Sequence, residues 1–321
     1  MSRVALEPEH YPFFDYRRFT FSLGIAAANG VWLSGSTAVR FDAARKAMVV
    51  EGDLVDQARV IFEKMRLTLE AGGLGLRDIV RIVQYVTPRA IPDLPRLKAL
   101  VADLVKGVAP AISVIVVKSL LRPEALIEIE AVASRDGRSK VEYLPTVSAS
   151  DAPRAWSRAD HVLIRRGLRR QDVLRAIELM APTVAADGND ARGTIIQVTM
   201  PRVVDDGCGV QIELSAASDQ HADVLFVSAV GDPRAGDIAA QCRDIYGRLG
   251  DQLSAKGADL DAVVKTTEFV TPEGLGAYRE TAAVRRDVFA APYPAATGVV
   301  CEALPAAGAL IAVEAVAVRS P

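Results

Sequence analysis

Cysteine is scarce in this 321-residue chain: Cys208, Cys242 and Cys301 are far apart and odd in number. They form neither a disulfide framework nor a zinc-binding spacing, and they are expected to stay reduced in a soluble cytoplasmic protein. Histidine is equally sparse. His10, His161 and His221 are scattered, so no metal site is expected. Neither sign of charge is in excess: 38 Lys and Arg stand against 40 Asp and Glu, for a formal net charge of −2 and a pI near 6.0. That balance gives no electrostatic footprint for nucleic acid. The basic run RRGLRR, Arg165 to Arg170, is short and reads as a solvated face. No apolar run reaches the ~18 residues of a membrane helix, and the opening MSRVALEPEHYPFFDYRR has no apolar signal core.

What the chain does have is apolar content and repetition. Half of the residues are hydrophobic, enough for a sizeable core, and the length suits two domains or one large one. LRDIVRIVQYVTP, ending at Pro88, returns as LDAVVKTTEFVTP, ending at Pro272, an offset of 184 positions. The same offset carries Gln57 to Gln241, Arg59 to Arg243, Gly73 to Gly257, Pro110 to Pro294, Glu130 to Glu314 and Ala133 to Ala317. One register held without a gap over that distance is the signature of a duplicated domain.

Each copy reads as strand, strand, helix, strand, helix, strand, strand. DLVDQARVIFEKMRLTLEAGG has apolar residues at helical spacing and stops on Gly72-Gly73. DIVRIVQYV and AVVKTTEFV are strands closed by Thr-Pro, and helices between sheet strands imply α+β layers. In the middle, SRADHVLIRRG reads as a strand and LRRQDVLRAIELMAPTV as a helix. Two strands joined by an Asp-Asp-Gly turn follow, ARGTIIQVTM and VQIELSA. That order matches the second half of the repeat, which gives two and a half copies. ARGTIIQV then falls where PAISVIVV and PAATGVVC fall, and Arg192 takes the place of Ile112 and Ala296.

These motifs resemble the RidA/YjgF family, the reactive-intermediate or enamine/imine deaminases. The matching features are GVWLSG, the Gln57-Ala-Arg helix, LEAGG, DIVRIVQYVT, PA-x-S at Pro110 and IEIEAVA, repeated as FVSAVGD, Gln241-Cys-Arg, VVKTTEFVT, YPAATG and VEAVAV. The resemblance implies tandem α+β domains of chorismate-mutase-like fold, with helices packed on one face of mixed β-sheets. Residues 1–140 and 219–321 would be the full repeats, and 141–218 a partial repeat or connecting segment. Family members form trimers with a small-molecule site in each cleft between subunits, so the chain is expected to form an intrachain pseudo-trimer, as a monomer or a homo-oligomer of it. The resemblance also implies a small carboxylate metabolite as ligand, hydrolysed at a C=N bond without metal or organic cofactor.

In such deaminases an arginine after the PA dipeptide holds the substrate carboxylate, and the first glutamate of IEIEA with backbone near an SG pair positions a water. Carried onto this chain, the resemblance makes Arg192 the carboxylate anchor, a role suited to a guanidinium that forms two parallel hydrogen bonds. The glutamate is Glu128 in the first copy, Gln211 in the middle and Ala312 in the last. Phe21 stands where an aromatic lies near the first hairpin, Ser34-Gly35 is the SG pair, and Arg81 and Lys265 are the basic residues of the third strand. Glu128 and Glu314 are the candidate acid/base groups. No copy keeps a complete site. Ile112 and Ala296 are expected to fill their clefts, leaving one principal pocket at Arg192. Two other readings stay open: a chorismatase-like enzyme acting on a cyclic dicarboxylate, with Glu314 as acid and Arg192 and Lys265 converging, and a non-catalytic ligand-binding module.

Overall fold

The computed structural model describes residues 3–135, 140–184, 193–218 and 223–319. They form three large sheets, each built mainly from its own stretch of chain, and a two-stranded one, Arg40–Asp42 with Ala47–Val49. In unit one the strand order is Val4–Ala5, Gly24–Ala27, Gly30–Leu33, Ile127–Ser134, Ile79–Val86 and Ala111–Val116, antiparallel except for the last, parallel pair. Helices Leu54–Glu70 and Leu94–Leu104 cover one face. Leu54, Ala58, Ile61, Met65 and Leu69 recur at helical spacing and pack on Ile127, Ile129, Ala131 and Ala133 of the strand. The first helix starts at Asp53, whose carboxylate accepts from the N–H groups of Val55 and Asp56.

Unit three repeats this plan. Val224–Val230, Ile311–Val318, Val263–Val270 and Ala295–Val300 are covered by helices Ile238–Ser254 and Thr281–Val288, and Ser119–Leu120 of unit one extends the sheet edge. The paired glutamines keep one task in both copies. Gln57 accepts from Leu126 N–H at 2.8 Å and donates to Gly52 O, and Gln241 accepts from Leu310 N–H at 2.8 Å and donates to Gly236 O.

The middle unit differs from the expected order. Ala152–Arg165 is the helix, and Val173–Met180 is a strand, central between Val210–Ala216 and Thr194–Thr199. The two readings exchange because Val173, Ala176, Ile177 and Met180 carry apolar side chains at i, i+3, i+4 and i+7 by coincidence. A strand buried on both faces has no polar alternation to betray it. The helix is marked by Ala152, Ala155, Trp156, Ala159 and Leu163, all buried. With short strands Glu142–Tyr143 and Val147–Ala149 on Val210–Ala216, the middle unit holds both outer strands, a first helix and three long strands. It is more than half a repeat.

The faces opposite the helices meet in one apolar core. Val83, Tyr85 and Ile115 of unit one pack with Ile177, Leu179, Ile196 and Val198 of the middle unit and with Phe269, Val299 and Cys301 of unit three. Inside lies a layer of buried charge. Glu130 pairs with Arg81 at 3.0 Å and with Lys265 at 3.0 Å; Glu213 pairs with Arg81 at 2.7 Å and Arg175 at 3.1 Å; Glu314 pairs with Arg175 at 2.7 Å. Strand pairing puts Glu130, Glu213 and Glu314 at equivalent positions, opposite Val83, Ile177 and Thr267. Arg81, Arg175 and Lys265 are likewise equivalent. Each cation reaches a carboxylate of the next unit, so the pairs run around all three.

Candidate functional site

A cavity of about 630 Å³ lies in the cleft between units one and three. The SG pair and the third-unit strand zip together along it. Gly35 N–H donates to Ala296 O at 3.0 Å, Ala296 N–H donates to Ser34 Oγ at 2.8 Å, and Ser34 Oγ donates to Ser22 O at 2.6 Å. Glu128 lines the cavity and accepts from the backbone N–H of Gly298. A Cβ on Gly35 would lie 2.1 Å from Glu128 Oε1 and 2.7 Å from Thr297 Oγ1, so only glycine lets the carboxyl sit there. Burial pushes Glu128 up to about 8, against the pull of nearby Lys265. It is therefore a neutral acid at neutral pH.

Glu130, two residues along on the same face, takes the opposite state. Burial works to raise it, but Lys265, Arg81 and the Thr297 hydroxyl at 2.6 Å outweigh that and hold it below the usual carboxylate range. Thr297 Oγ1 also accepts from Gly35 N–H at 2.9 Å and from Lys265. The charged layer thus touches the floor of the cavity through Thr297 and fixes the Gly35 backbone.

The walls are aromatic and cationic. Tyr11, Phe14, Phe19 and Phe21 line one side, and Leu33, Met48, Met65 and Tyr278 add apolar surface. Arg122, Arg279 and Arg286 line the cavity, and their guanidinium groups have no ion-pair or hydrogen-bond partner among the described residues. Arg285 is already engaged: its guanidinium pairs with the fully buried Glu268 at 2.8 Å and donates to Thr20. Lys64 is 1% exposed and donates to the carbonyls of Thr37 and Val39, with its ammonium about 5.0 Å from the Phe13 ring; burial pulls it down to about 7.

The expected site residues that the structure describes fall into three places. Glu128, Phe21, Ser34 and Gly35 come together in this cavity. Arg81, Lys265 and Glu314 belong to the internal charged layer, where their partners are Glu130, Glu213 and Arg175. Gln211 is buried and donates to Val114 O at 2.8 Å, in the cleft between units one and two. Arg192 lies outside the described residues.

The strand register does, however, correct the alignment made through Arg192. Ile112 pairs with Ile82, Ala296 with Thr266, and the residue at that place in the middle strand is Ile195, opposite Ala176. Side chains alternate faces along a strand, so a three-residue slip changes both position and face. The three clefts therefore combine Ala296 with Glu128, Ile112 with Gln211, and Ile195 with Ala312. Nor does Ala296 fill its cleft. It is the smallest of the three residues and lines the cavity. A second space of similar volume opens at Ile112, beside Tyr143 and Pro145.

Arg175 is hidden from sequence reasoning by the helical spacing of its strand, and aligning LRAIELM with VRIVQYV exposes it opposite Arg81; Glu213 stands in VQIELSA where IEIEAVA has Glu130, and that match is its signal. Sequence reasoning missed Arg122, Arg279 and Arg286 because they lie in a loop and helices with no motif. Among the described residues, no group of His, Cys, Asp and Glu is placed to hold a metal, and no helix is long and apolar enough to cross a membrane.

The family model for endoribonuclease L-PSP matches residues 17–135 and 222–319. The chain belongs to that family. The match is tandem, and the α+β fold with several mixed sheets agrees with the RidA/YjgF resemblance. A RutC family protein of Pyrococcus horikoshii is 29% identical over 116 residues, 36% of this chain and 87% of that protein. A 2-iminobutanoate/2-iminopropanoate deaminase of Dermatophagoides farinae is 27% identical over 112 residues, 35% of this chain and 83% of that protein. Among solved structures, E. coli TdcF with bound serine is 23% identical, covering 42% of this chain and 99% of that one at a TM-score of 0.35. The Rid-family protein YyfA of Yersinia pestis is 24% identical, covering 41% and 99% at a TM-score of 0.35.

Proposed function

We propose that the cleft between units one and three binds a small carboxylated metabolite and hydrolyses a C=N bond in it, as a RidA-like deaminase. One observation carries this reading: a single cavity gathers a buried carboxylic acid that is neutral near pH 7 and three arginines without partners. The arginine of the family motif is absent here, so Arg122, Arg279 and Arg286 take over the carboxylate. A charge-assisted hydrogen bond from a guanidinium is the strong kind. The cations converge on a cavity and not on an open face, which suits a small anion better than a nucleic-acid backbone.

The chemistry follows from Glu128. As the neutral acid it protonates the imine nitrogen, and its carboxylate then takes a proton from water as the oxygen adds to the imine carbon. Returning that proton to nitrogen lets the C–N bond break while the carboxylate takes the proton of the hydroxyl, so imine and water become ketone and ammonia and the acid is restored. The Gly298 N–H holds the carboxyl in place through the cycle, and the missing side chain at Gly35 leaves room for it. Activity is expected to fall as pH rises through about 8, where the acid form is lost.

The three units share one charged layer and one core, which supports reading the chain as a single-chain counterpart of a trimer with diverged clefts. Glu314 and Lys265 are tied up in that layer, so the geometry lends no support to Glu314 as a chorismatase-like acid.

The test is a thermal-shift and turnover comparison using 2-imino acids generated in place and their 2-oxo acid products. A ligand at ~100 times its dissociation constant stabilises the wild type by ~2.7 kcal/mol. The shift is expected to vanish in Arg286→Ala with Arg279→Ala, and turnover to vanish in Glu128→Gln. Loss of binding in Arg192→Ala alone, with the other variants unaffected, would move the site to a different cleft and end this reading.

A further inference from the structure

We infer that the ligand of this cavity carries an aromatic ring beside its carboxylate, an aryl-bearing 2-imino or 2-oxo acid and not a three- or four-carbon one. The inference rests on the carboxylate-binding reading above and names the substrate class for it. Size is the first argument. About 630 Å³ falls in the range of pockets that enclose drug-sized ligands, several times what a three-carbon acid fills.

The second argument is what the walls are made of. The chain has nine Phe, seven Tyr and two Trp, and a third of them fall between Tyr11 and Phe21. They form one connected cluster. Tyr11 meets Phe13, Phe14 and Tyr16 edge-on at 5.1, 5.6 and 5.4 Å, Phe14 meets Phe19 edge-on at 5.9 Å, and Phe19 stacks on Phe21 at 5.5 Å and 26°. Residues 3–16 lie outside the family match, so Tyr11 and Phe14 come from an extension of the matched domain. The cluster is held down from below: the Lys64 ammonium faces the Phe13 and Phe14 rings, and Phe41 N–H donates to Phe13 O.

Exposure is the third argument. Phe19 is 46% exposed, although it stacks on a neighbour and lines the cavity. A ring left half in water beside a ready stacking partner offers a platform for a third ring. With Arg122, Arg279 and Arg286 partnerless in the same walls, the cavity presents an aromatic side to a ring and cations to a carboxylate. Glu128 supplies the proton at its buried end.

The experiment measures dissociation constants by calorimetry for phenylpyruvate and 2-oxobutanoate, which carry the same charge and the same 2-oxo acid head. The wild type is expected to bind phenylpyruvate at least ~10-fold more tightly, from ring burial plus stacking. That ratio should collapse to within ~3-fold in Phe19→Ala and shrink in Tyr11→Leu, a second variant that guards against a folding defect in the first. Equal binding of both acids, with both lost in the Arg279→Ala, Arg286→Ala double variant, overturns the aryl inference and leaves the carboxylate site standing. Binding of neither acid overturns both. A ratio unchanged in both aromatic variants places the ring elsewhere and also overturns the inference.

Discussion

Replacing Glu128 by glutamine should make the protein more stable as the pH rises, and by an amount the burial sets. The carboxyl is 6% exposed and its pKa is lifted from 4.5 to about 8. An acid raised in the folded state contributes its full stability below the unfolded pKa, here near 4.5, and loses it as pH rises through the folded value. The slope for one proton is about 1.4 kcal/mol per pH unit. Across the window from about 4.5 to about 8 the wild type should therefore lose roughly 5 kcal/mol relative to a neutral isostere, and about 3 kcal/mol by pH 7. Glutamine keeps an acceptor for Gly298 N–H and nearly the same volume, so packing changes little. Urea unfolding of wild type and Glu128→Gln at pH 5, 7 and 9 measures the gap, and other titrating groups cancel in the difference. A gap independent of pH between 5 and 9 would mean that Glu128 ionises normally, and the acid role would go with it.

Other outcomes follow from the same contacts. Lys64, lowered to about 7 by burial, predicts the opposite slope: relative to Lys64→Met, the wild type should gain stability from about pH 7 toward 10.5, by at most ~1.4 kcal/mol per unit, read from unfolding at pH 6.5 and 9.5. Arg175→Leu strands the buried Glu314 and leaves Glu213 with Arg81 alone, and should cost ~3–5 kcal/mol in urea unfolding; adding Glu314→Gln should recover part of it. Gly35→Ala drives a methyl into Glu128 and Thr297 and should cost ~1–3 kcal/mol by the same assay, with turnover reduced because the carboxyl must move. Arg286→Ala is exposed and unpaired, so thermal melting should change by less than ~0.5 kcal/mol while the affinity for a carboxylate falls ~10-fold or more.

Several features of the protein are written in the chain order alone. The 184-residue offset marks the duplication, and alternation in IEIEAVA puts Glu128 and Glu130 on one face whatever surrounds them, because side chains along a strand alternate with period two. Spacing within Leu54–Glu70 likewise specifies its buried stripe. The meeting of Glu128 with Ala296, Gly298, Arg279 and Arg286 of a different unit is another matter. It depends on which sheet edges meet, and residues more than a hundred positions apart carry no local signal of that. The middle unit shows the limit from the other side. Val173–Met180 has a pattern compatible with helix or strand, and burial on both faces, a tertiary fact, decided for the strand. Register then settled that Ile195 is the middle-strand residue equivalent to Ile112 and Ala296, since hydrogen bonding to the neighbouring strand fixes position where sequence similarity slips. The sequence determined the repeated unit and the direction each side chain takes along its strand. Only the packing of three units decided that Lys265 and Glu314 are spent in the interior, and that the cleft where alanine stands in the arginine's place is the one that holds Glu128.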